Sequence, residues 1–307
     1  MAKKHSTTPT LATIALVTAY VLWGINTPFI KIGVQNIPVS VFITIKMFGA
    51  ALLIAPFAIK TWTKLSLKTY LVLITSALIW VSVGNLAFYS GLKDAPSINA
   101  ALIELLGPLL LFGFSVQYLK ESFSAKTFFG IIVALSGALI VIGQPLINGD
   151  ASSPANIGNL FFILAVLCHV LGTIIVKPQL EKVGASQATF IHLLYGAIPI
   201  AIYSITELDG WSINELGSQS ILAIIYGIVA VTLANFLLVY GLKRKKAQEI
   251  GPFFYIQPIV TFIVAAFILK EYPTPIFIIG TLLVFLGIYL AEAKLPHRLH
   301  IHYRHHH

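Results

Sequence analysis

Apolar residues run along this chain in long blocks separated by short polar stretches. Ten blocks approach the roughly 20 residues that cross about 30 Å of hydrocarbon: 11 to 34, 39 to 59, 70 to 91, 96 to 119, 125 to 145, 157 to 178, 186 to 206, 218 to 242, 248 to 269 and 274 to 293. Each predicts a transmembrane helix, and the fold class is an all-α polytopic membrane protein. The longest interruption, Leu146 to Asn156, is rich in Gly, Pro, Ser and Asn and reads as a linker between halves. The first block follows Lys3 and Lys4, is longer than a signal-peptide core and lacks a small-residue cleavage site, so it reads as an uncleaved span.

Sliding the chain against itself by 150 positions exposes a duplication. Asn85 falls on Asn235, Gly91-Leu92-Lys93 on Gly241-Leu242-Lys243, Pro108 on Pro258, Phe112 on Phe262, Leu119-Lys120-Glu121 on Leu269-Lys270-Glu271, Gly130 on Gly280 and Gly137 on Gly287. One ungapped register that matches polar, Gly and Pro positions argues against coincidence between apolar helices. Each copy holds five spans, an odd number, so the second enters the membrane from the opposite side. The expected organisation is a first repeat at 1–147, a linker at 148–156, a second, inverted repeat at 157–293 and a basic, His-rich cytoplasmic tail at 294–307. Inverted repeats of this kind can open a midplane site to either side in turn, which is how secondary transporters work.

Charge orients the bundle, because Lys and Arg collect on the cytoplasmic side. Sixteen of the 20 Lys and Arg lie in the tails and in alternate loops, which places both termini in the cytoplasm. Glu207, Asp209 and Glu215 stand on the other side without a basic partner. Topology thus accounts for the net charge of +9, and no nucleic-acid partner is implied. With 57% hydrophobic residues, only 10% charged and a mean hydropathy of +0.89, the chain is excluded from the soluble enzymes. The single cysteine, Cys168, lies in an apolar block and excludes a disulfide framework or a cysteine metal cluster.

These residues resemble the drug/metabolite transporter superfamily, specifically its ten-span EamA-type members. The likeness rests on Trp23-Gly24-Ile25-Asn26 with Lys31, Asn85 before Gly91-Leu92, Pro108, Glu121, Gly130 and Gly137, and on Asn235, Gly241-Leu242, Pro258, Glu271, Gly280 and Gly287 in the second half. It covers nearly the whole chain. It implies an inner-membrane carrier of small organic solutes, often an exporter of amino acids or other metabolites, working without ATP. Two positions depart from the family pattern: Lys46 stands where Arg is common, and Glu104 where an acid is unusual.

Lys46 and Glu104 are the charges set most clearly within blocks. Both lie roughly 10 to 12 Å below the outer edge at 1.5 Å per residue, with Asn26 and Thr27, beside helix-bending Pro28, at a similar level. A charge facing lipid costs at least about 2.5 kcal/mol, so both should face the interior, and opposite signs at one depth suggest a pair. That pair is either a fixed ion pair or a site for a solute or proton. Tyr255 and Gln257, around Pro258, are candidate cavity-lining groups. Pro108 and Pro258 should bend their spans, as hinges or as fixed kinks. Asn85 and Asn235 should bridge neighbouring helices. The seven-residue spacing of Gly130 and Gly137, and of Gly280 and Gly287, puts each pair on one helix face and suits close packing. His169 and His192 can relay protons, although neutral interior histidines explain them better. Glu121 and Glu271 read as solvated partners of Lys120 and Lys270. The tail carries six of the nine histidines, and a tag remnant or a disordered tail accounts for them, so no metal site is assigned.

The expected function is alternating-access transport, as an exporter, of small amphoteric or amphiphilic metabolites such as amino acids. A multidrug or cation–proton antiporter using Glu104 is the alternative. An intramembrane enzyme lacks support, because no HExxH, G-x-S-x-G or Walker sequence occurs. Expected partners are a small-molecule solute, membrane lipids and protons, with no cofactor; a monomer and a homodimer fit equally.

Overall fold

Hydrocarbon offers no water to backbone N–H and C=O groups, so an apolar segment must satisfy them internally, and a helix does so. The computed structural model describes residues 7–107, 109–110, 125–150, 152–208, 211–213, 216–244 and 251–292. Its helices are α1 Thr7–Asn36, α2 Val39–Lys60, α3 Leu67–Ala77, α4 Leu86–Asp94, α5 Ser97–Glu104, α6 Ala125–Ile142, α7 Gln144–Ile147, α8 Pro154–Val176, α9 Ala185–Ser204, α10 Ser218–Leu242, α11 Ile256–Ile268 and α12 Pro275–Glu292. No strand occurs among the described residues. Pro38, Pro96 and Pro154 stand at the starts of α2, α5 and α8, where a missing N–H costs nothing.

Among the described residues six helical segments are long and apolar enough to cross a membrane: Leu11–Asn36, Val39–Lys60, Leu67–Asp94, Pro154–Lys182, Ala185–Glu207 and Ser218–Leu242. Shorter apolar helices occupy Ile132–Ile142, Phe253–Ile268 and Pro275–Leu290. Pro108 and Glu121 lie outside the described residues. Leu52 and Phe267 are each 74% exposed, and such large apolar side chains on the outer surface belong to a bundle solvated by lipid. The chain is a multi-pass membrane protein.

Contacts at the helix ends show how the two halves of the chain meet. Glu207, just past α9, accepts hydrogen bonds from the Ser40 backbone N–H (3.1 Å) and Oγ (2.5 Å) at the start of α2. At the other end Gln187, near the start of α9, accepts from the Thr63 N–H (3.1 Å) and donates to the Thr63 carbonyl (2.9 Å), just past α2. The two helices are therefore antiparallel, and Glu207, expected to lack a basic partner, is tied to a serine. α6 and α12 are antiparallel too. A Cβ on Gly137 would fall 2.5 Å from the Gly280 carbonyl oxygen, and one on Gly287 would fall 2.5 Å from that of Gly130. All four glycines sit where backbones touch. α1 packs on α10 and α11, while α8 packs on the α3–α4 segment and on α5.

Two spans depart from the regular helices expected. The third holds a π-helical stretch, Leu78–Asn85, between α3 and α4. Its wider turn brings residues five apart onto one face, and Ser76 and Ser82 pin it by donating to the carbonyls of Gly172 (2.8 Å) and Gly196 (2.6 Å). The block expected to be the ninth span holds a 3₁₀ turn, Gly251–Tyr255, and α11 starts only at Ile256. Pro258 consequently lies in the first turn of α11, where its absent N–H was unpaired anyway. The mid-span kink expected there is a helix start. Pro28, in contrast, does lie inside α1 and frees the Gly24 carbonyl from its usual donor. Thr261 on α11 fills the vacancy, donating from Oγ1 at 3.0 Å.

Candidate functional site

A cavity of about 1240 Å³ lies among α1, the π-helical stretch, α4, α5, α8, α10 and α11. Aromatic rings cluster in its wall. Tyr20 meets Trp23 edge-on (5.4 Å) and Phe254 at 5.0 Å, while Trp23 meets Trp80 edge-on at 6.3 Å. Trp80 and Asn85 both face inward, as the π-helical spacing requires. Of these groups the sequence reading singled out Asn85 and, within the family resemblance, Trp23; Tyr20, Trp80 and Phe254 carried no signal apart from their size.

Glu104 is the carboxylate at the inner end. It accepts a hydrogen bond from Gln257 Nε2, and its Oε1 lies 3.6 Å from His169 Nδ1. His169 in turn meets Trp80 edge-on at 5.7 Å. The Tyr20 hydroxyl and His169 Nε2 are buried without a hydrogen-bond partner among the described residues.

Lys46 is fully buried behind this wall rather than in it. Its Nζ donates to Asn26 Oδ1 (3.3 Å) and Tyr89 Oη (3.2 Å) and lies 5.1 and 5.0 Å from the ring centroids of Phe42 and Tyr89. Gly227 leaves room for it, since a Cβ there would fall 2.2 Å from Lys46 Cε. The expected pairing of Lys46 with Glu104 is therefore corrected. The two share a depth but not a direction: the lysine reaches an amide and a phenol, the acid reaches Gln257 and His169. Lys46 touches the cavity only through Asn26 and Tyr89, both of which line it.

The remaining candidates separate clearly. Thr27 lines the cavity and donates to its own helix at Trp23 O (3.1 Å). Tyr255 packs against the main core and is absent from the cavity wall. Asn235 lines the cavity but bonds back to Val231 O (2.8 Å), so the expected bridge to another helix is replaced by a bond one turn earlier on α10. His192 meets Trp80 at 4.6 Å with the rings tilted by 42°, behind the wall.

The cavity leads to the end of the bundle that carries the basic loops, where Lys177, Glu181, Lys243 and Arg244 line it. The opposite end is tied shut. Lys31 pairs with Glu271 at 3.3 Å and donates to Ala95 O at 2.5 Å. Glu271 also accepts from Ser97 Oγ (2.6 Å) and the Ile98 N–H (3.2 Å), capping α5. The solvated pairing of Glu271 with Lys270 is thus corrected. Lys270 adopts the left-handed conformation (φ 59) that ends α11, and the turn delivers Glu271 to the first half of the chain.

The profile of the EamA-like transporter family matches residues 10–143 and again 156–292. The uncharacterized transporter YetK of Bacillus subtilis is 24% identical over 289 residues, covering 92% of this chain and 87% of that protein. The aromatic amino acid exporter YddG of Ancylobacter novellus is 23% identical over 191 residues, 60% of this chain and 64% of that one. A solved crystal structure superposes with a TM-score of 0.64 at 20% identity, covering 92% of this chain and 96% of its own, and so shares the fold.

Proposed function

We propose that this chain, which belongs to the EamA-like transporter family, is a secondary exporter of small amphoteric metabolites with an aromatic or other large apolar part, such as amino acids. One observation carries the reading: a single carboxylate, Glu104, held by Gln257 and His169 at the inner end of an aromatic-walled cavity. An ammonium group placed there loses its water but gains a charge, and the rings cover the apolar remainder. The amide of Asn26 and the hydroxyl of Tyr89 offer hydrogen bonds to a carboxylate, with Lys46 fixing both. That a relative is named an aromatic amino acid exporter supports the same class.

Alternating access follows from ten spans in two inverted repeats, at residues 1–147 and 157–293. The crosswise contacts of Gly130 with Gly287 and of Gly137 with Gly280 support this, because repeat-equivalent helices that meet antiparallel are related by an in-plane two-fold axis. By the charge rule both termini are cytoplasmic, and the cavity mouth with them. The protein sits in the cytoplasmic membrane.

Purified protein in ATP-free liposomes preloaded with unlabelled phenylalanine, tryptophan or leucine is expected to accumulate the labelled amino acid by exchange. Failure with every amino acid, alongside exchange of phenethylamine, would replace this reading with the second one, cation–proton antiport. The imidazole of His169, 3.6 Å from Glu104, favours that alternative, since it places a second proton-binding group beside the carboxylate.

A further inference from the structure

The cavity mouth holds a charge arrangement that loop topology does not require. Basic loops facing the cytoplasm need only be solvated. Lys177 instead turns its Nζ into the wall of the mouth, where the atom is buried without a hydrogen-bond partner. Lys243 and Arg244 line the same mouth. Lys243 spends one donor on Val183 O (2.6 Å), and Arg244 donates to Tyr240 O (3.1 Å) and stacks on the Tyr240 ring at 3.6 Å, so both are held in place with donors to spare. Burial and the neighbouring Arg244 charge push Lys243 below the ordinary lysine range. Glu181 is the one carboxylate among the described residues of the mouth, and it is exposed.

We propose that Lys177, with Lys243 and Arg244, forms an oxyanion-capture site at the mouth, which takes the carboxylate of an incoming solute and turns away solutes that carry only a cation. His169 and Thr173 stand four residues apart on α8, Lys177 follows four further on as the first residue of the 3₁₀ turn that continues it, and all three line the cavity. They form one polar stripe, about 12 Å long, from the mouth to Glu104. An amphoteric solute is thus met first by its acid end and later by a carboxylate for its amine. The pure cation favoured by the antiport reading is repelled at the door. Capture matters for transport only if the cavity carries the solute, as proposed above.

A thiol placed at Thr173, one turn inside Lys177, reads the mouth without any transport. In the Cys168→Ser, Thr173→Cys protein in uncharged maltoside micelles at low salt, the anionic sulfonatoethyl methanethiosulfonate is expected to react faster than the cationic trimethylammonium reagent, after correction for their rates with free thiol. Lys177→Gln should slow the first and speed the second by about threefold each, the effect of one unit charge at about 7 Å in water, and Lys177→Arg should restore the preference. Phenylacetate should protect the thiol in the parent and not in the Lys177→Gln protein, while phenethylamine protects neither. Equal reaction of the two reagents, or protection by phosphatidylglycerol but not by phenylacetate, overturns the proposal. The second result would give the site to a lipid headgroup. Because labelling and exchange are separate measurements, the capture site and the transport reading can fail independently.

Discussion

Lys31 and Glu271, 240 positions apart in the chain, meet at 3.3 Å and close the end of the bundle opposite the cavity mouth. The pair ties α1 to the end of α11 and, through Ser97 and the Ile98 N–H, to the start of α5. Opening the cavity to that side must break these bonds. Glu271→Gln keeps the shape and removes the charge, so it should shift the population toward the state open on the other face. In inside-out and right-side-out vesicles, a thiol at Thr173 should gain accessibility from the face that Lys31 and Glu271 close and lose it from the face of the cavity mouth. Unchanged labelling from both faces would show that the pair is no latch.

Glu104→Gln is expected to lower exchange at least tenfold while leaving monodisperse protein in detergent, because it removes the carboxylate without removing its volume. Lys46→Met should do likewise through Asn26 and Tyr89, which lose their common donor. Gly227→Ala, which drives a methyl into Lys46 Cε, should match Lys46→Met in its effect on exchange. Wild-type exchange rates in both charge variants would remove them from the solute path. Aggregation of both would make them structural.

Thr261→Val tests the carbonyl that Pro28 leaves unpaired. The substitution keeps the shape but strands Gly24 O in a buried contact between α1 and α11, at a cost of about 1 to 3 kcal/mol. A lower midpoint of thermal unfolding in detergent should report it, with Thr261→Ser largely restoring the parent value. If Thr261→Val melts with the parent, Gly24 O has another donor.

Gly137→Ala should loosen the contact between α6 and α12, since the new methyl would press on the backbone of Gly280 and Val284 as well as on Leu283. Overpacking of this order costs about 1 to 3 kcal/mol. The thermal midpoint should fall, and the same substitution at Gly217, where no atom lies within 4 Å of the added carbon, should leave it nearly unchanged. Equal effects at the two sites would mean that the glycine contact is not what holds the helices.

Lys270→Gly should stabilise, by about 1 kcal/mol, because only glycine takes a positive φ without strain from Cβ. The Lys31 pairing should survive, as it uses Glu271 and not Lys270. A fall in stability would show that the Lys270 side chain makes a contact worth more than the strain.

The sequence by itself determined what depends on length, polarity and order along the chain. The helical segments Leu11–Asn36, Val39–Lys60, Pro154–Lys182, Ala185–Glu207 and Ser218–Leu242 overlie the apolar blocks to within a few residues, because spanning hydrocarbon is a matter of counting apolar residues. The resemblance drawn from scattered Gly, Pro, Asn and Glu positions led to the family whose profile matches both halves. Tertiary structure alone decided which residues meet. Counting at 1.5 Å per residue puts Lys46 and Glu104 at one depth, but a residue's direction around the bundle depends on how every helix is rotated, so their actual partners, Asn26 and Tyr89 for one and Gln257 and His169 for the other, were not legible. The same limit hid the Glu271–Lys31 pair and the inward face of Trp80. The first joins segments far apart in the chain, and the second depends on a π-helical spacing that apolar residues do not announce.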